Sequence, residues 1–306
     1  MTLVSRFVFF QRKNTPRGKT SNRITMMEIS IIIPVRDNQK GIDSYLDEFL
    51  KTHQTEHFPK EIIIVDNNSS PTITLKDRHL LHTLPIKLIV CNKVGPAAAR
   101  NLGVLNAKGE WILFNDSDCL PTSSLLRGYL KADNGSIGYA GNIKSLGQDR
   151  LSRYYQSQEI LLPLKTKNDT GENVPQYLIT ANSLVWKKAF IEIGGFNEEI
   201  KIAGGEDIDL GLRLSQHGNL TYAFDSIALH DFNDGLIGFS QRFRRYGKGN
   251  RLLEEIWQTN MRPHLFLPNK KTVPNVVMAL LQYLFLLGGY VAAHREIKRD
   301  SAQTSK

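Results

Sequence analysis

EWILFNDSDC (residues 110–119) runs four apolar residues, Trp111 to Phe114, straight into Asp116 and Asp118, two carboxylates two positions apart. The apolar run shows no polar alternation, so the strand it predicts is buried on both faces, as in a parallel sheet covered by helices. Three other runs read the same way: ISIIIPV (29–35), EIIIVD (61–66) and IKLIVC (86–91). Between them Ile42, Tyr45, Leu46, Phe49 and Leu50 recur at helical spacing, and GPAAARNLGVLNA (95–107) is an Ala-rich helix ending before Lys108-Gly109. Strand and helix alternating at this spacing predict βαβ units and an α/β fold. Ligands of such sheets bind beyond the carboxyl ends of the strands. There the sequence places Arg36 and Asp37, then Asp66-Asn67-Asn68-Ser69, then Asp116-Ser117-Asp118. Adjacent anions repel, so Asp116 and Asp118 require compensation by water, a basic group or a metal ion.

The second half is less regular. SIGYAGNIK (136–144), LITANSLVW (178–186) and TYAFDSIALHD (221–231) read as further strands, with a helix over 122–132 before the first. GGEDIDLGLRLSQHG (204–218) opens on glycines and acids and then turns helical, and a basic helix, FSQRFRRYGKGNRLLEEIW, follows from about residue 238.

The net charge of +9 is unevenly distributed. Residues 1–23 carry +6 and residues 242–306 carry +8, which leaves −5 for residues 24–241. An acidic centre with basic ends excludes a nucleic-acid-binding fold, which needs basic residues interleaved with aromatics inside the domain. It suits an anionic membrane surface instead. Two cysteines, Cys91 and Cys119, exclude a disulfide scaffold and indicate a reducing compartment. VSRFVFF near the N-terminus is too short for a signal sequence. VVMALLQYLFLLGGYVAA (276–293) is at the lower limit for spanning a bilayer and has Lys270, Lys271, Arg295, Lys298 and Arg299 on its flanks. The expected organisation is a basic arm (1–27), an α/β sheet domain (28–235) and a basic helical region (236–306) with the apolar segment 276–293. The expected location is cytoplasmic, peripheral to or anchored in the inner membrane.

Five stretches in order, ISIIIPVRDN, VDNNSS, NKVGPAAARNLG, FNDSDC and IGGFNEEIKIAGGEDIDLGLRL, resemble the family 2 glycosyltransferases of GT-A fold over about residues 28–232. The resemblance implies an inverting, metal-dependent transfer of sugar from a nucleotide-diphosphate sugar, by default a UDP-sugar, to a hydroxyl acceptor that is saccharide or lipid-linked. It implies a divalent cation, Mn²⁺ or Mg²⁺, held by Asp116, Asp118 and His230, with Asp118 as main ligand. Pro34, Arg36, Asp66, Arg100, Asp116 and Gly205 are then the donor contacts. Asp66 would accept the uracil N–H, and Arg100 would pair with the diphosphate. Asp207 is implied as the base, with Glu206 binding or orienting the acceptor; Asn182 and Trp186 are suggested from the irregular region as further acceptor contacts. IGGF followed by GGED also resembles the β-1,4-galactosyltransferases, although Ile202-Ala203 stands where that family has Trp-Gly.

Two other readings compete. A sugar-phosphate nucleotidylyltransferase would carry a Gly-rich loop after the first strand, where this chain has PVRDNQKG. A non-catalytic nucleotide-sugar-binding protein would not be expected to retain both Asp118 and Asp207. Because all five stretches precede residue 232, removal of 270–306 is expected to leave donor hydrolysis intact.

Overall fold

The computed structural model describes residues 27–53, 59–232 and 234–304. The basic arm before Met27, with VSRFVFF, lies outside them. The first half follows the βαβ reading: β1 (Ile29–Val35), α1 (Gln39–Thr52), β2 (Glu61–Asp66), a short α2 (Asp77–Leu80), β3 (Ile86–Val90), α3 (Pro96–Asn106) and β4 (Trp111–Asn115). Then come β5 (Cys119–Pro121), α4 (Leu125–Ala132), β6 (Gly138–Ser145), α5 (Arg150–Ser157) and a small hairpin of β7 (Lys165–Lys167) and β8 (Asn173–Pro175). The chain continues through β9 (Asn182–Trp186), α6 (Lys187–Glu192), α7 (Glu206–His217), β10 (Leu220–His230), α8 (Gly235–Trp257) and α9 (Val273–Thr304).

Eight strands form one sheet in the order β3-β2-β1-β4-β9-β6-β10-β5. β3, β2, β1 and β4 are mutually parallel, and so are β6 and β10, whereas β9 and β5 run antiparallel to their neighbours. Period-two side-chain alternation explains the double burial. Ile31 and Ile33 pack on one face with Tyr45, Leu46 and Phe49 of α1. Ile32 packs on the other face with Ala97 and Ala99 of α3 and Phe190 of α6.

The sheet must curl. Only residues 116–118 separate β4 from β5, yet β5 lies four places away in the strand order. Four flat strand spacings are roughly 19 Å, whereas the chain from Asn115 to Cys119 reaches roughly 14 Å at most. The turn that holds Asp116 and Asp118 therefore bridges the mouth of a curled sheet.

α9 packs along α8. A Cβ on Gly289 would come within 1.9 Å of the Arg244 carbonyl oxygen, and one on Gly247 equally close to that of Leu286, so these glycines let the backbones meet. α8 in turn abuts the Gly204-Gly205 turn, both residues of which have φ near +130°. The helical C-terminal region thus packs against the glycine turn through α8.

Adjacent glycines on α9 test this packing. Gly289→Leu should lower Tm by roughly 3–10 °C through overpacking. Gly288→Ala, which meets nothing within 4 Å, should leave Tm unchanged or slightly raised. Equal Tm values for the two variants, read by differential scanning calorimetry, would contradict the contact.

Candidate functional site

The parallel strands end at one edge, and the loops there enclose a cavity of about 550 Å³, within the usual range of small-molecule sites. Pro34, Arg36, Arg100, Asp116, Asp118, Gly205, Glu206, Asp207 and His230 all line it. One site therefore gathers residues from β1, α3, the β4–β5 turn, α7 and β10.

Antiparallel pairing of β5 with β10 sets Cys119 opposite His230, and the Asp231 amide donates to the Asp118 carbonyl. This brings His230 Nε2 within 3.2 Å of Asp118 Oδ2. His230 Nδ1 bonds the Asp231 carbonyl at 2.8 Å, which requires the proton on Nδ1 and leaves Nε2 as a lone pair in the neutral ring. Two lone pairs at that distance repel unless a proton or a cation lies between them. The donor set, a carboxylate and an imidazole beside a second carboxylate, fits Mn²⁺ or Mg²⁺. Burial works to raise the Asp118 pKa; with a proton rather than a cation between the two groups, the charge and hydrogen bond of His230, helped by the Arg242 guanidinium, outweigh it and hold the carboxyl at about 2. Cys119 lies in the same cluster; burial pushes its thiol well up, so it remains protonated at neutral pH.

Arg100 occupies the centre, buried at 4% exposure. Gly95 and Pro96 start α3 so that Arg100 lies in its first turns. Its Nη1 donates to Glu206 Oε1 and its Nη2 to Asp116 Oδ1, each at 2.8 Å. Burial disfavours the charged guanidinium, yet Asp116, Glu206 and Asp207 more than compensate and keep it protonated. Sequence reading aimed Arg100 at a diphosphate; here both terminal nitrogens are held by carboxylates. Glu206 is likewise engaged, since its other oxygen accepts from the Gly204 amide at 2.7 Å. It ties the glycine turn to Arg100.

Asp207 differs from its neighbour. It accepts from the Ile208 amide at 2.9 Å and weakly from the Thr180 amide at 3.4 Å. Burial, then the charge of Glu206, push its pKa up to about 7, against the pull of Arg100. A carboxylate with that pKa can accept a proton near neutrality.

Three sequence-derived residues are placed elsewhere. Asp66 is at the strand end, but both its oxygens accept loop amides, from Ser69 at 2.9 Å and Ile73 at 3.0 Å, and it does not line the cavity. Asn182 is buried, bonded to Tyr129 and to the carbonyls of Asn142 and Ser226. Trp186 pairs with Trp111 at the opposite end of β4, because β9 runs antiparallel; this corrects its placement as an acceptor contact.

Other residues emerge only in three dimensions. Asn67 lines the cavity, accepting from the Gly95 amide and donating to the carbonyls of Cys91 and Lys93. Only an amide both donates and accepts in this way. Asn38 donates to Ser117 and accepts from the Gly41 amide, tying the acidic turn to the start of α1. Arg242, Arg245, Tyr246 and Asn250 of α8 form one cavity wall at spacings of three and four. The RFRRYGK run, read from sequence as facing a membrane, thus supplies two cations to the site. The helical spacing from Arg242 was the one available signal.

Comparisons with known proteins agree with this architecture. The model of glycosyl transferase family 2 matches residues 30–194, and that of the N-terminal domain of galactosyltransferase matches residues 173–235. The pre-mycofactocin glycosyltransferase of Mycobacterium tuberculosis is 29% identical over 234 residues, 72% of this chain and 46% of the relative. The poly(ribitol-phosphate) beta-N-acetylglucosaminyltransferase TarS of Staphylococcus aureus is 34% identical over 99 residues, 30% of this chain and 16% of that protein. The chain thus spans less than half of each. In fold it is similar to TarS residues 1–349 (TM-score 0.54, 19% identity, 84% of this chain and 72% of that one). It is equally similar to the mannosyltransferase PcManGT of Pyrobaculum calidifontis, solved with GDP-Man and Mn²⁺ (TM-score 0.54, 14% identity, 93% and 77%). With the family model covering more than half of its length, the chain belongs to glycosyl transferase family 2.

Proposed function

We propose that the protein is an inverting, metal-dependent glycosyltransferase that moves a sugar from a nucleotide-diphosphate sugar, a UDP-sugar by preference, to a hydroxyl acceptor in surface polysaccharide or glycoconjugate synthesis. The observation that carries this reading is a single cavity with Asp118 and His230 poised for a cation and Asp207 poised for a proton. TarS has been solved with UDP-GlcNAc and PcManGT with GDP-Man, so nucleotide-sugar donors occur among proteins of this fold. The nucleotidylyltransferase alternative has no support in these matches.

Asp118 and His230, with Asp116 beside them, would hold the divalent cation, which supplies the counter-charge that makes a nucleoside diphosphate a good leaving group. Arg36 and the α8 cations Arg242 and Arg245 line the same cavity and add positive potential around the departing phosphates. Pro34, Gly205 and Asn67 shape the backbone wall against the donor. Asp207 takes the proton of the acceptor hydroxyl as its oxygen bonds to the anomeric carbon, and the nucleoside diphosphate leaves with the electron pair of the broken bond. Arg100 and Glu206 hold Asp116 and the glycine turn in register, so their part is positional.

α9 carries a second aspect of the reading. It is the one described helix long and apolar enough to cross a membrane. Its inner face, Ala279, Gln282, Leu286 and Ala293, is buried. Val276, Val277, Leu280, Leu284 and Val291 are exposed at helical spacing. With one side packed on α8 and basic residues at both ends, the helix suits an orientation along an anionic bilayer surface, near a lipid-linked acceptor.

Asp118→Ala should abolish transfer and Mn²⁺-dependent donor binding by calorimetry; full wild-type turnover in excess EDTA would refute the metal assignment. Asp207→Asn should keep donor affinity while kcat falls by about 10²–10⁴. For the wild type, kcat/KM should decline as pH falls below about 7, the value to which Asp207 is raised. The raised pKa also means that the folded state binds this proton more tightly than the unfolded chain, so the group costs stability as pH rises from about 4 to 7. Asp207→Asn should therefore gain Tm over the wild type at about pH 8 and little at about pH 4. For α9, the full chain should sediment with phosphatidylglycerol vesicles at low salt, and Leu280→Glu with Leu284→Glu should abolish this. A protein that never leaves the supernatant would make α9 a packing helix only.

A further inference from the structure

We propose that a second, smaller cavity beside the main one is a subsite for a pyranose unit of the acceptor; this deepens the glycosyl-transfer reading and rests on it. The cavity has a volume of about 190 Å³ and shares Ile160 and Tyr177 with the main cavity, so the two adjoin at those residues. None of the metal-set residues, Asp116, Asp118 or His230, lines it.

Position ties it to the acceptor side of the reaction. Tyr177 begins the segment leading to Thr180, whose amide approaches Asp207, and its ring packs with Ile208 of the same helical turn as the base. The charge of Asp207 acts on the Tyr177 hydroxyl. That hydroxyl is buried next to the Leu164 backbone without a hydrogen bond of good geometry. An acceptor whose attacking hydroxyl lies at Asp207 must extend the rest of its body away from the donor, and the smaller cavity is the adjoining space.

Its chemistry suits a sugar ring. Two aromatic side chains, Tyr177 and Phe266, line it and offer flat apolar faces to the C–H side of a pyranose. Glu159, Asn269 and Gln282 line it too and can exchange hydrogen bonds with hydroxyls in both directions. Gln282 is the most telling of these. It is buried on α9, and its Oε1 is fixed by the Tyr154 hydroxyl at 2.7 Å. Its Nε2 donates to no protein atom among the described residues. With Oε1 so held, the amide nitrogen of this cavity-lining residue can donate to a ligand hydroxyl. Apolar walls with a few placed polar groups are the usual make-up of small-molecule subsites.

Saturation-transfer NMR on the full chain loaded with UDP and Mn²⁺ tests the assignment, with the methyl β-glycosides of glucose, galactose and N-acetylglucosamine as probes. At least one should give signal. Phe266→Ala and Gln282→Leu should each weaken it roughly fivefold to tenfold, with UDP affinity and Tm tracked in parallel. Because Phe266 is only partly buried, its variant keeps the test open should Gln282→Leu unfold. Donor hydrolysis by the wild type with no glycoside signal, or a signal that survives both substitutions, overturns the subsite and leaves the glycosyl-transfer reading standing. Absence of both UDP binding and donor hydrolysis overturns the two together.

Discussion

The site is organised around one buried cation. Arg100 bridges Glu206 on α7 and Asp116 on the β4–β5 turn, tying α3 to a helix that begins 106 residues further on. Without it, Glu206 would be a buried, uncompensated carboxylate beside Asp207 and Asp116. Breaking a buried pair of this kind typically costs about 3–5 kcal/mol, because the remaining charge has no partner. The pair is therefore better understood as fixing position than as a net source of stability. It sets where Asp116 points and where the glycine turn ends.

The same charge arrangement separates the tasks of adjacent acids. Glu206 gives both oxygens to protein partners, one to Arg100 and one to the Gly204 amide. Asp207, one residue on, receives only two amide contacts; burial, and then Glu206 as a like charge, raise its pKa to about 7. Asp118 is moved the other way, to about 2, by His230 and Arg242. Carboxylates pushed apart in this manner are the pattern expected where one must stay anionic and another must take up a proton.

The C-terminal helices enter the site indirectly as well as directly. Gly247 and Gly289 allow α9 to press α8 into place, α8 presents Arg242 and Arg245 to the cavity, and the α8 backbone meets the Gly204-Gly205 turn. Gln282 extends the same helix pair to the smaller cavity. A region whose composition reads as a membrane attachment is thus also a wall of the cavity. One helix can serve both ends, because its two faces carry different residues.

The sequence by itself determined the α/β class, the four parallel strands and the edge at which Asp116 and Asp118 belong. Unbroken apolar runs leave no other burial, and strand ends of a parallel sheet share one rim. It also determined that glycines precede the acids of α7. Tertiary structure alone decided which partners those acids keep. Asp66 falls to its own loop amides, Asn182 to a core network and Trp186 to the far edge through the antiparallel course of β9, which no local pattern announces. The curl that seats β5 against β10 and brings His230 to Asp118 arises from closure of the whole sheet. The inward turn of Arg242 and Arg245 depends on how α8 is rotated, and that rotation is fixed by glycine contacts with a helix some forty residues further on. Periodicity reports which face of an element is apolar; which neighbour meets that face is a property of the assembled chain.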